Sequence, residues 1–290
     1  MNRDLLKAYL ELTKPRIVTM VLVTTVLGYA LARGGLYPKT LLLWTLVGTA
    51  MASGGAGVLN QYVEREVDAR MHRTRNRPLP SGTIPPFAAL LLGLILAFGG
   101  PALMVPLVNP LAAGLALLSA LLYVLVYTPL KRYSWLNTTF GAIPGAVPPM
   151  IGWAAATGQL NVGAWVLFAI LFIWQHPHFY SIAYMFKEDY ARGGFKMLPV
   201  VDTEGKQTFR HSLAYCIVLI PVSILPSLIS DMVGWIYFSG ALLLGVWFLA
   251  ACVRWRISES QIDARKVLRV SVIYLPVLLL LILVDSFLIH

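Results

Sequence analysis

Apolar residues run through most of this 290-residue chain in stretches broken by short polar segments. Stretches of roughly twenty apolar residues predict helices that cross a lipid layer, since a rise of about 1.5 Å per residue then covers a hydrocarbon core of about 30 Å. Taking each run to its polar interruption gives nine spans, at 17–32, 40–59, 87–107, 110–128, 138–157, 162–185, 212–229, 232–252 and 268–289. The division between the third and fourth rests on Asn109-Pro110, and that between the seventh and eighth on Ser230-Asp231. The fifth must bend or break, because Pro144, Pro148 and Pro149 remove backbone donors and clash with the preceding turn. Broken helices at membrane depth usually border a cavity. The expected fold is an all-α polytopic bundle of about nine transmembrane helices, a single membrane domain over residues 1–290.

The polar segments differ by side. Arg3, Lys7, Lys14 and Arg16, then Arg65, Arg70, Arg73, Arg75 and Arg77, then Lys131 and Arg132 fall on one face. Lys187, Arg192, Lys196, Lys206, Arg210, Arg254, Arg256, Arg265, Lys266 and Arg269 fall there too, leaving only Arg33 and Lys39 of 23 basic residues opposite. By the positive-inside rule that face is cytoplasmic, the amino terminus lies inside and the carboxyl terminus outside. The expected location is therefore the bacterial cytoplasmic membrane.

Composition agrees, since 58% hydrophobic and 12% charged residues exclude an ordinary soluble domain. The formal charge of +10 is accounted for by loop topology and calls for no nucleic-acid partner. Met1–Arg16 mixes acids with bases and is expected to be neither a cleaved signal nor a transit sequence. Cys216 and Cys252 fall inside apolar runs and read as packing residues. Eleven of the 13 acids share the basic face, all but Asp231 and Asp285, and topology alone requires none of them. Two connections on that face, near 60–86 and 186–211, are long, as functional loops often are.

Asn60, Glu64 and Asp68 recur every four residues, so at about 40° per step they share one helix face. They follow Ser53-Gly54-Gly55-Ala56-Gly57, a small-residue run that admits a close helix neighbour. One amide and two carboxylates suit Mg²⁺, which takes oxygen ligands and keeps substrate phosphate oxygens in its remaining positions. Arg73 and Arg77 follow directly, and guanidinium forks onto phosphate. The bland alternative is a solvated helix end with Arg65 or Arg70 pairing the acids.

A second cluster joins Trp174, Gln175, His176, Pro177, His178, Phe179 and Tyr180, late in the sixth span, to Lys187, Glu188, Asp189, Arg192 and Lys196. Glu188 and Asp189 are candidates to complete a second metal site. Two residues apart, His176 and His178 project about 200° apart and do not bind one metal together; either one touches a substrate or each is satisfied by helix hydrogen bonds. His72 and His211 read as loop histidines. Tyr123, Tyr127, Thr128, Lys131, Arg132 and Asn137 gather at the inner end of the fourth span, where the two basic residues either hold phosphate or only orient the chain.

These residues together resemble the UbiA superfamily of intramembrane prenyltransferases and, within it, the haem-directed subgroup. The resemblance runs from Thr13-Lys14-Pro15-Arg16 through Asn60, Glu64, Asp68, Met71, Arg73-Thr74 and Arg77-Pro78-Leu79. It continues through Tyr127-Thr128, Leu130-Lys131-Arg132, Asn137, Pro144-Gly145-Ala146, Pro148-Pro149, Gly152-Trp153, Trp174-Gln175, Pro177-His178-Phe179, Asp189-Tyr190 and Met197-Leu198-Pro199-Val200. It implies nine helices around a central cavity, open to the inner side and to lipid, with farnesyl diphosphate and haem B as substrates and haem O as product. It further implies Mg²⁺ on Asn60, Glu64 and Asp68, with Glu188 and Asp189 at a second metal. Arg73, Arg77, Lys131, Arg132, Lys187, Arg192 and Lys196 would hold the diphosphate, and His176, His178 and Trp174 are candidates to contact haem. A downstream haem-modifying enzyme is an implied partner. The superfamily usually repeats an Asp-xxx-Asp motif in the second long loop, where only Glu188-Asp189 stands here. Alternatives are an aromatic-acid or chlorophyll-like acceptor and, in another class, transport of a phosphorylated solute.

Overall fold

A computed structural model of the protein describes residues 3–229 and 233–289, and among these every regular element is a helix. A short amphipathic helix, α1 (Arg3–Leu12), precedes α2 (Pro15–Arg33), α3 (Lys39–Asp68), α4 (Pro86–Leu107) and α5 (Pro110–Leu121). A π-helical turn, Leu122–Tyr127, carries α5 without a break into α6 (Thr128–Tyr133). Then come the half-helices α7 (Asn137–Ala146) and α8 (Pro148–Thr157), the long α9 (Val162–Met185), and the short α10 (Lys187–Arg192) and α11 (Leu198–Val201). Three long helices follow, α12 (Lys206–Ile229), α13 (Trp235–Ser258) and α14 (Gln261–Ile289).

Eight passages among the described residues are long and apolar enough to cross a membrane as single helices. The remaining expected span is the pair α7–α8, parted at Val147 between Pro144 and Pro148 as the prolines require. The pair still runs from one face to the other. Asn137 Nδ2 donates to the Lys196 carbonyl at 3.0 Å at the charged end, and Arg33 donates to the Ala156 carbonyl at 2.6 Å at the opposite end.

Helices outrun the apolar runs that revealed them: α3 continues from 59 to Asp68, α12 begins at Lys206 rather than 212, and α14 at Gln261 rather than 268. Hydropathy stops where charge begins, whereas the backbone ladder needs only helical dihedrals. The Asn109-Pro110 boundary stands, with the Asn109 side chain accepting from the Ala112 N–H at 2.8 Å to cap α5. The Ser230-Asp231 boundary lies outside the described residues.

The small-residue run of α3 lets α4 come close, and a Cβ on Gly55 would sit 2.3 Å from the backbone nitrogen of Ala97. Large apolar residues such as Ile95, Phe98, Leu243 and Val246 are exposed, as lipid-facing positions are, while Trp153, Tyr237, Phe248, Trp255 and Tyr274 fill the interior. Trp165 and Trp235 stand exposed near the N-terminal ends of α9 and α13, where amphipathic rings favour the interface. Cys216 and Cys252 are buried free thiols whose sulfurs meet across α12 and α13 at 3.3 Å.

Candidate active site

The last three turns of α3 carry Asn60, Glu64 and Asp68 into the bundle, with exposures of only 1%, 4% and 1%. Each has a cation brought by a different part of the chain. Lys14 Nζ donates to Asn60 Oδ1 at 2.5 Å, Lys131 Nζ to Glu64 Oε1 at 2.9 Å, and Arg77 to Asp68 Oδ2 at 2.8 Å. The expected row is therefore a buried ladder of oxygens facing cations, and the solvated-end alternative does not hold. Gly57 lies beside the Lys14 stem, where an added Cβ would meet its Cδ at an ordinary contact distance of 3.5 Å.

Lys131 reaches Glu64 because the chain changes pitch just before it. Pro129 offers no N–H to the preceding turn, and the backbone widens into the π-turn at Leu122–Tyr127, a form often found at functional sites. Thr128 Oγ1 donates back to the Tyr123 carbonyl at 2.8 Å and accepts from Asn60 Nδ2 at 3.0 Å. The Lys131 ammonium also lies over the Tyr127 ring, 4.4 Å from its centroid. Arg132 is exposed and points elsewhere, so the structure separates two residues that the sequence had grouped.

Lys14, counted in the sequence among the topological charges and in the Thr13-Lys14-Pro15-Arg16 stretch of the resemblance, joins this cluster. It holds a left-handed backbone conformation, φ 54°, between α1 and α2, and its ammonium lies 5.7 Å from the Tyr123 centroid. Burial, with the neighbouring Lys131 and Arg77 charges, pulls it down to about 7 against the opposing pull of Glu64 and Asp68. The only local signal for it is Lys14-Pro15 set directly before an apolar run.

The second cluster is built differently. Asp189 Oδ1 accepts from the His72 N–H at 3.0 Å and from Arg192 at 2.6 Å, and Oδ2 accepts from the Arg73 N–H at 3.1 Å. Burial pushes its carboxyl up, but the Arg192 bond and the two backbone bonds outweigh this and hold it below the usual value. Asp189 thus ties α10 to the loop after α3 rather than offering free oxygens to a second metal. Arg73 donates to Tyr190 Oη at 3.0 Å and stacks over Phe186 and Tyr190. Glu188 and Lys187 line a surface cleft of about 790 Å³ with His72, Arg73 and Arg192, and Lys196 is exposed. No three His, Cys, Asp or Glu side chains gather around one position among the described residues.

His176 and His178 diverge as their spacing demands. His176 is closed off, with Nδ1 2.8 Å from the Phe172 carbonyl, Nε2 3.3 Å from Thr139 Oγ1, and the ring stacked on Tyr215. His178 Nδ1 lies 2.8 Å from Ser271 Oγ, its ring against Trp174, whose own N–H donates to the Ser271 carbonyl. His211, expected in a loop, lies in α12.

Fold and site define a multi-pass helical membrane protein with an acid-and-cation cluster buried at one end of its bundle. The family model described as the UbiA prenyltransferase family matches residues 21–273, and the chain belongs to that family. It is 48% identical over 289 residues to the protoheme IX farnesyltransferase of Solibacter usitatus, covering 97% of this chain and 99% of that one. It is 44% identical over 280 residues to the protoheme IX farnesyltransferase of Salinibacter ruber, with the same coverage. The fold matches the solved structure of a digeranylgeranylglyceryl phosphate synthase with a TM-score of 0.82 at 21% identity, covering 98% and 99% of the two chains. It also matches a UbiA homologue from Archaeoglobus fulgidus bound to DMAPP and Mg²⁺, with a TM-score of 0.68 at 13% identity, covering 97% and 98%.

Proposed function

We propose that the protein transfers a farnesyl group from farnesyl diphosphate to a vinyl group of protohaem IX, releasing diphosphate and giving haem O. The observation that carries this is the buried ladder of Asn60, Glu64 and Asp68, each oxygen met by a separate cation. The choice of acceptor is supported by the names of the full-length relatives.

The donor set fits a hard cation, since it is all oxygen and already draws positive groups to every member. Asn60, Glu64 and Asp68 would hold Mg²⁺, leaving its other positions to diphosphate oxygens, and the ion would stabilise the charge growing on the leaving group. Lys131 and Arg77 balance the two ladder carboxylates and Lys14, once protonated, adds one positive charge, whereas a diphosphate ester with one Mg²⁺ carries about one negative charge that favours the protonated form. Arrival of the donor therefore leaves the buried site close to neutral. The three cations sit on long stems and move from the ladder to phosphate oxygens when the donor binds.

Ionisation of the allylic bond needs no general base. The C–O bond breaks to give diphosphate and a farnesyl cation, the haem vinyl attacks that cation, and water captures the resulting cation beside the porphyrin, losing a proton to give the hydroxyethylfarnesyl group. Apolar helices house the farnesyl tail and keep water from the cation before the vinyl reaches it. Arg73, Lys187, Arg192 and Lys196 form the outer basic rim, and Arg132 serves orientation only. The lopsided distribution of Lys and Arg supports a cytoplasmic membrane with the site on its inner face; the product then passes to a downstream haem-modifying enzyme.

The test is to incubate membranes holding the protein with farnesyl diphosphate, protohaem and Mg²⁺ and to measure haems by mass spectrometry. An increase of one farnesyl plus one hydroxyl group that depends on the protein is expected. Product formed only with an aromatic acid would overturn the acceptor.

A further inference from the structure

Two glutamines are buried in the bundle, and they differ in what surrounds their oxygens. Gln61 and Gln175 are 2% and 5% exposed. Gln61 Nε2 donates to the Leu12 carbonyl at 3.0 Å, and Gln175 Nε2 to the carbonyls of Ala142 at 3.1 Å and Leu171 at 3.0 Å. Neither Oε1 accepts from any of the described residues, but the Gln61 oxygen is sealed by its neighbours whereas water can touch that of Gln175.

The Gln175 oxygen lies against the break between α7 and α8, where a Cβ on Gly145 would collide with it. Pro149 has no N–H to give the Gly145 carbonyl, just as Pro148 has none for Pro144, whose carbonyl accepts from Ser119 Oγ at 3.1 Å instead. The break thus brings together two acceptors, the Gln175 oxygen and a carbonyl that lacks its helix donor.

This place adjoins the ladder. Gly141, next to Ala142, packs on the Tyr127 ring, and that ring lies 4.4 Å from the Lys131 ammonium that meets Glu64. Asn137 starts α7 at the charged end, so Ala142 lies about 8 Å deeper along the helix. A farnesyl carbon released from diphosphate at the ladder meets its acceptor on this apolar side. Two acceptors suit a molecule with two hydrogens to give, and a water held by both turns its lone pairs outward as a nucleophile.

We propose that the Gln175 side-chain oxygen holds the water that captures the porphyrin-side cation. The assignment rests on the prenyl transfer proposed above. The water oxygen forms a C–O bond to the cationic carbon, and one of its protons is lost to the released diphosphate, leaving the hydroxyl of the product. Gln175 takes no proton; it fixes where the water stands. Without that water the same cation sheds a proton from the neighbouring CH₂ and closes to an alkene.

The test is the ratio of hydroxyethylfarnesyl haem to the alkene lighter by one water, separated by chromatography and weighed by mass spectrometry. Membranes holding the full chain are supplied with farnesyl diphosphate, protohaem and Mg²⁺, and the wild type is expected to give the hydroxyl product. Gln175→Leu, which removes the acceptor, should shift the ratio toward alkene by on the order of tenfold, the scale of one hydrogen bond. Gly145→Ala keeps the amide but pushes a methyl onto its oxygen; it should shift the ratio the same way, and it decides if Gln175→Leu makes no product. Ser119→Ala loosens the same break elsewhere and should slow transfer while leaving the ratio as in the wild type. A wild-type ratio in either of the first two variants, or no product from both, would overturn the assignment, as would an equal shift in Ser119→Ala. A wild type that makes no farnesylated haem would instead remove the transfer itself.

Discussion

Two acid clusters lie at the charged end of the bundle, and they differ in who satisfies them. The carboxylates of Glu64 and Asp68 are met by side-chain cations on flexible stems, Lys131 and Arg77. Asp189 is met by two backbone N–H groups and Arg192, in a geometry the main chain itself fixes. A side-chain ammonium can swing away when a metal and a polyanion arrive, whereas a backbone amide cannot leave without unfolding its loop. Proximity of acids to bases therefore does not by itself mark a reacting site; exchangeable partners do.

The sharpest way to break this comparison is to remove one ladder charge. Glu64→Gln or Asp68→Asn should lower farnesyl transfer by on the order of a hundredfold to a thousandfold, the scale of losing one group that stabilises developing charge. The protein should still insert in the membrane, as membrane fractionation and haem mass spectrometry on the same sample would show. Normal turnover by either variant with Mg²⁺ present would sink the metal assignment.

A smaller effect separates the adjacent bases. Lys131→Met removes a cation that would meet the diphosphate, and donor binding should weaken by roughly thirtyfold, about 2 kcal/mol. Arg132→Met, on an exposed residue outside the ladder, should change donor affinity by less than about twofold. Equal effects from the two would return both to a shared phosphate-binding role.

That pair also shows where the sequence was legible. The ladder could be read because Asn60, Glu64 and Asp68 share a helix, and spacing along one helix dictates a common face. The divergence of His176 and His178 followed from the same rule, and the break at α7–α8 from proline chemistry. Partnership between helices carries no such local signature. Lys14 meets Asn60 across 46 positions and His72 meets Asp189 across 117, set by packing that periodicity does not encode. Neighbours on one helix, Lys131 and Arg132 must diverge by about 100°, but which of them meets Glu64 is set by packing between helices.

Next in size is the brace. Asp189→Asn keeps the shape of the side chain but discards its charge, so the His72 and Arg73 amides and Arg192 lose charge-assisted bonds. The expected cost is about 1–2 kcal/mol of stability, read as a lower melting temperature in detergent, while transfer falls by less than about tenfold. A hundredfold loss of transfer with unchanged stability would instead place Asp189 among the reacting groups.

The smallest expected effect is a pH dependence whose direction follows from the same carboxylate. Because folding holds the Asp189 carboxyl below its usual value, the unfolded chain binds more protons in the window between the two values. Its contribution to stability is thus fully present above the ordinary carboxylate value of about 3.9 and is lost as pH falls through the lowered one. Hydrogen exchange at the His72 and Arg73 amides, corrected for intrinsic rates, should therefore be flat between pH 7 and pH 5. It should accelerate only below the ordinary carboxylate range. Asp189→Asn should exchange faster at every pH and show no acid step. A protection step near neutral pH would point to a histidine rather than Asp189 as the group that controls this loop, and the brace would then be wrongly assigned.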